Sequence, residues 1–148
     1  MKKIFFKFDP KKEVVQPFIV GYKVEAFARL DSYLDAWIEV LCRKHFGEDS
    51  RLLSLIDELN LVPPFQKARL LEKQGVLSPA LYSRLKRFKE ARNRLAHSLA
   101  PLAEHGLRLP AAQGKPLEEA EKLAEKDLEK ALQEGLALYA ELAVLAQK

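Results

Sequence analysis

Apolar residues recur along this chain at spacings of three and four, the repeat of a helix with one buried face. The first such row, Val20, Val24, Phe27, Asp31, Leu34, Ile38 and Leu41, predicts a helix from about Pro17 or Phe18 to Phe46, with Gly47 as its stop. Asp49 or Ser50 caps a shorter helix through Leu59, which Asn60 and Pro63-Pro64 end. A helical segment from Phe65 to Gln74 stops at Gly75. Ser78-Pro79 then supplies an N-cap serine and a first-position proline for a helix carrying Leu81, Leu85, Phe88, Arg92, Leu95 and Leu99, which ends before Pro101. Residues 100–115, with Pro101, Gly106, Pro110 and Gly114, read as a linker. Pro116 opens a last helix to about Gln147, with the stripe Leu117, Ala120, Ala124, Leu128, Ala131, Gly135, Leu138, Leu142 and Leu145. Its small residues permit close approach of a neighbour. Ile4 to Phe8, within an N-terminal extension of residues 1–16, is the one extended candidate. The element lengths predict a single all-α domain, an up-and-down helical bundle of four to five helices.

Composition narrows the classes. The 148 residues suffice for one core, and no apolar run approaches the ~20 residues of a membrane span. Met1-Lys2-Lys3-Ile4-Phe5-Phe6-Lys7 starts basic, but its apolar run is too short for a secretory leader. Cys42 is the single cysteine, which rules out an intrachain disulfide and suits a cytoplasmic setting. The net charge of +4 is mild, whereas its distribution is uneven. Arg84, Lys86, Arg87, Lys89, Arg92 and Arg94 face one acid, Glu90, in that stretch, while residues 118–134 carry seven acids and three lysines. A basic helix face beside an acidic helix suits a polyanion partner or a complementary protein surface; the plainer reading is a solvated face.

Arg92 stands in an apolar stripe where the helix calls for a hydrophobe. A guanidinium does not lose its charge, so a half-buried one needs an anion or acceptors around it. Asp31 interrupts the first helix's stripe in the same way, and two opposite charges at interior positions of two helices are expected to meet. Asp31 would then orient Arg92 or raise the basicity of His97; otherwise it lies at the seam's edge facing water. Tyr33 and Trp37 on the adjoining face read as core. Arg92 and His97 are five apart, so within one helix they point about 140° from each other. Asn93 and His97, four apart, lie one above the other. Arg92 and His97 reach one site if the helix distorts near Pro101, or if a second copy of the helix crosses it in a dimer. The structural alternative pairs Arg92 with a buried carboxylate and leaves His97 near a helix C-terminus, where a cation is favoured.

Other constellations are weaker. His45, Glu48 and Asp49 lack metal-ligand spacing, and there is no Cys/His cluster for zinc. Gly114-Lys115 lacks the glycine loop and strand that cradle phosphates, and no Gly-x-Ser-x-Gly occurs. His105 falls in the expected linker.

Arg92-Asn93-Arg94-Leu95-Ala96-His97, an Arg, a polar residue, three more and a His, resembles the signature of HEPN domains (higher eukaryotes and prokaryotes nucleotide-binding). The lead-in Lys67-Ala68-Arg69-Leu70-Leu71-Glu72-Lys73-Gln74-Gly75-Val76-Leu77-Ser78 and the basic helix after it are similar to HEPN domains too, and to the mannitol repressor-like branch of related bundles. The likeness covers roughly residues 50–99, and the flanking helices match in length and pattern. It implies an all-α homodimer with Arg and His of both protomers lining a cleft. It further implies a metal-independent endoribonuclease without a cofactor, acting as a toxin or in phage defence beside a nucleotidyltransferase-type antitoxin. On that reading the RNA 2′-hydroxyl attacks its own phosphodiester and DNA is inert. His97 moves protons, Arg92 stabilises the transition-state charge, and Asn93 holds a phosphate oxygen or fixes the His97 tautomer. Lys86, Lys89 and Arg94 would track the RNA backbone. A non-catalytic bundle of the same fold would instead bind a nucleotide, an RNA or a partner protein.

Overall fold

In a computed structural model, residues 7–47, 64–105 and 117–148 are described, with side chains for 7–47, 65–96 and 125–148. Helices dominate, and no strand occurs among the described residues. A π-helical turn at Lys11–Val15 leads into α1 (Gln16–Ile19), followed by α2 (Lys23–Phe46), α3 (Pro64–Lys73), α4 (Pro79–His105) and α5 (Leu117–Gln147). The architecture is an all-α helical bundle.

Helix α2 is the central element, packing against α1, α3, α4 and α5. Its buried residues, Ala26, Phe27, Leu30, Asp31, Leu34, Trp37, Ile38, Leu41 and Cys42, follow the three-four spacing of its sequence. Leu85, Phe88 and Leu95 of α4 and Leu128, Leu132, Leu138 and Leu142 of α5 close over them. Phe27 and Phe88 stack at 5.6 Å, 9° from parallel, and Trp37 meets Tyr139 edge-on at 6.0 Å. Tyr33 is half-buried; its hydroxyl donates to the Lys7 carbonyl at 3.0 Å.

The small stripe of α5 has one position with no room to spare. A Cβ on Gly135 would stand 2.5 Å from Phe88 Cε2 and 2.7 Å from Leu30 Cδ2. The Phe88 ring is buried and held against Phe27, so it cannot yield cheaply. Gly135→Ala gains about 1 kcal/mol of helix propensity but overpacks the core by roughly 1–3 kcal/mol. A net loss of stability is expected in urea unfolding. Unchanged or raised stability would mean that the helices separate at little cost.

Helix ends explain where the chain departs from its periodicity. The N-terminal helix does not run unbroken from Pro17. The chain turns at residues 20–22, where Gly21 takes φ 104°, a conformation that costs a glycine little. Val20 therefore leaves the stripe and is 69% exposed, while Val14 and Phe18 enter the core from a helical segment that begins within the expected N-terminal extension and runs past it to Ile19. Lys7 and Phe8 are not in a strand; Phe8 packs 4.1 Å from Tyr33, and the rest of the extended candidate lies outside the described residues. The Ser78 hydroxyl accepts from Leu81 N–H at 3.1 Å, the cap that Ser78-Pro79 announces. Helix α4 then continues through Pro101 to His105, so the linker is shorter than residues 100–115. That continuation forfeits the hydrogen bond a proline nitrogen cannot donate. The helix expected through Leu59 lies outside the described residues.

Candidate functional site

Two helix faces carry their charges to one point. Asp31 and Asp35 are one turn apart on α2, and Lys89 and Arg92 are three apart on α4, so each pair shares a face. Packing of α2 on α4 brings all four together. Lys89 Nζ donates a short hydrogen bond to Asp35 Oδ1 and stands 2.7 Å from Asp31 Oδ1. That second contact is an ion pair without hydrogen-bond alignment. Arg92 Nε lies 3.5 Å from the other Asp31 oxygen, again an ion-pair distance.

Burial grades across this cluster. The side chains of Asp31 and Lys89 are 10% and 14% exposed, that of Asp35 26% and that of Arg92 39%. Arg92 is thus the outermost member, anchored from behind at Nε. Its Nη1 donates to Asn93 Oδ1 at 3.2 Å, and Asn93 is exposed. Burial pushes the Asp35 carboxyl above the usual carboxylate range; the Lys89 hydrogen bond and charge oppose that shift, the Asp31 charge adds to it, and Arg92 opposes it. With all four ionised, two anions and two cations balance.

The pairing of Asp31 with Arg92 foreseen from their interrupted stripes is present. Lys89 is placed differently from the role of an RNA-tracking lysine. It points inward between two carboxylates, because its position in α4 falls on the same face as Arg92. Lys86 and Arg94, the other candidate RNA contacts, are exposed, as is Arg87. Arg84 turns toward α5 and pairs with Glu134 and, at 2.6 Å, with Glu141. The hydrogen bond that Arg84 donates to Glu134 is the chief cause that raises the basicity of its guanidinium further. Part of the basic run is therefore spent on the acidic helix of the same chain, and the remainder faces outward. His97 belongs to α4 by its backbone, one turn beyond Asn93; its side chain lies outside the described ones. Helix α4 runs continuously across both residues and on through Pro101, so on helical spacing Arg92 and His97 of one chain point apart.

Asp35 was not singled out in the sequence, although Asp31-x-x-x-Asp35 facing Lys89-x-x-Arg92 is a legible signal once the two helices are taken to touch. No group of three or more His, Cys, Asp or Glu that could hold a metal occurs among the described residues. No helix among them is long and apolar enough to cross a membrane. Comparison with protein-family models, with curated proteins and with solved structures finds no match. The HEPN likeness accordingly stands on the residues themselves.

Proposed function

We propose that this chain is a HEPN-like, metal-independent endoribonuclease that acts as a homodimer in the cytoplasm, with Arg92, Asn93 and His97 as its site and Asp31 as support. The observation that carries the reading is an arginine tethered through Nε to a buried carboxylate while 39% of its side chain remains exposed. A guanidinium held in this way meets a phosphate without first losing its own side-chain freedom, and its charge is favoured most when the phosphorus gains negative charge. The uninterrupted α4 supports the dimeric form. Arg92 and His97 of one copy diverge by about 140° on helical spacing, which favours a cleft that draws them from two copies.

The reaction needs no group beyond these. His97 accepts the proton of the RNA 2′-hydroxyl as that oxygen bonds to phosphorus. The bond to the 5′-oxygen breaks, and an imidazolium, from the same or the second copy, returns a proton to the leaving oxygen. The products are a 2′,3′-cyclic phosphate and a 5′-hydroxyl. Lys86 and Arg94 on the outward face contact backbone phosphates. A toxin or phage-defence role, with a nucleotidyltransferase-type antitoxin, follows from the same likeness.

The test is RNA cleavage in EDTA by wild type and His97→Ala, with end-group analysis. Cleavage to cyclic phosphate ends that disappears in a folded His97→Ala protein is the expected result. Equal behaviour of the two proteins on several RNAs removes the enzyme reading. RNA affinity without turnover reassigns the chain to a non-catalytic HEPN-fold dimer, a regulator-like module.

A further inference from the structure

We propose that Lys89 is a positioning residue for this site: clamped between Asp31 and Asp35, it cancels two carboxylates behind Arg92 and thereby sets how strongly Arg92 attracts a phosphodiester. This deepens the reading of Arg92 as an RNA phosphate ligand and rests on it. The four charges of the cluster are Asp31 and Asp35 from α2 and Lys89 and Arg92 from α4. With all of them ionised the local sum is zero. Without Lys89 it becomes minus one, and an approaching phosphate meets a site of its own sign. Without the Asp35 charge it becomes plus one. Lys89 is 14% exposed and engages both acids, so it acts from behind the guanidinium and not as a direct ligand. The Asp35 side chain is 26% exposed and pairs with Lys89 within the cluster, so an amide that can keep accepting that hydrogen bond is a mild replacement there.

Opposite signs distinguish this from a merely structural contact. Binding of the full chain to a fluorescein-labelled single-stranded oligouridylate with 2′-O-methyl sugars, which cannot be cleaved, is followed by anisotropy over a salt series. Asp35→Asn is expected to bind about fivefold tighter than wild type, the scale of one nearby unit charge at a protein surface. Measured near pH 8, where the stranded carboxyl is ionised, Lys89→Met is expected to bind about fivefold weaker, and Lys89→Arg to keep wild-type affinity. Asp35→Asn/Lys89→Met restores the zero sum and is expected to return to within about twofold of wild type. The salt slope of Lys89→Met should equal that of wild type; a slope smaller by about one would make Lys89 a phosphate contact and overturn the proposal. Asp35→Asn binding no tighter than wild type also overturns it, and that arm holds even if Lys89→Met fails to fold. Arg92→Ala separates the two claims. If it binds as wild type does, the Arg92 site itself falls; if it weakens binding while Asp35→Asn gains nothing, only the role of Lys89 falls.

Discussion

Lys89→Met is expected to lower the free energy of unfolding by about 3 kcal/mol at neutral pH, the largest stability loss of any exchange in the charge cluster. Methionine keeps the length and the apolar stem of lysine, so the loss reports the ammonium group and not a cavity. Removing the ammonium takes away the only contact of Asp35 in the cluster and the nearer contact of Asp31, which retains Arg92 at 3.5 Å. Removing one partner of a buried ion pair costs roughly 3–5 kcal/mol, and the partial exposure of Asp35 puts this case at the lower end. The deficit should depend on pH with a definite sign. A stranded carboxyl holds its proton to higher pH in the folded than in the unfolded state. The folded variant therefore binds more protons above the usual carboxylate range, and its stability falls as pH rises through that window. Urea unfolding should give a larger gap to wild type near pH 8 than near pH 5. A gap of the same size at both would locate the loss in packing and not in charge.

Arg92→Ala should do the reverse, with a large effect on chemistry and a small one on the fold. If Arg92 existed only to neutralise Asp31, its loss would strand a buried carboxylate and cost several kcal/mol. Lys89, however, stands at 2.7 Å from Asp31 against 3.5 Å for Arg92, and it stays when Arg92 is removed. With its side chain 39% exposed, Arg92 contributes about 1 kcal/mol or less to stability. At a reacting phosphodiester, loss of a preset charge is expected to slow single-turnover cleavage about 10²–10³-fold, as removal of other transition-state donors does. Both measurements on one protein decide between the roles. A stability loss of several kcal/mol with RNA handling unchanged would return Arg92 to a structural ion pair.

The helical repeat, the Ser78-Pro79 start and the meeting of Asp31 with Arg92 were legible in the sequence because each depends on local spacing. A charge in an apolar row marks its own helix face at about 100° per residue, and two such interruptions of opposite sign predict their own contact. The same spacing placed Gly135 in the buried stripe of α5. It was silent on how little room Phe88 and Leu30 leave there. Gly21 was a visible breaker inside an apolar row, yet the row outweighed it; the backbone obeyed the glycine. Pro101 shows the converse, a visible breaker that α4 runs through.

What the chain alone determined is thus the helical repeat and the buried faces of the long helices, with Asp31 and Arg92 marked as two charges able to meet. Tertiary structure decided the rest of the site. It set the crossing of α2 on α4 that turns Lys89 from an expected RNA contact into the cation between two carboxylates, and that leaves Arg92 as the outermost of the four. The reason is geometric. Periodicity reports direction around one helix axis, whereas the partner a side chain meets depends on the crossing angle and axial offset of two helices, which the whole packed core sets.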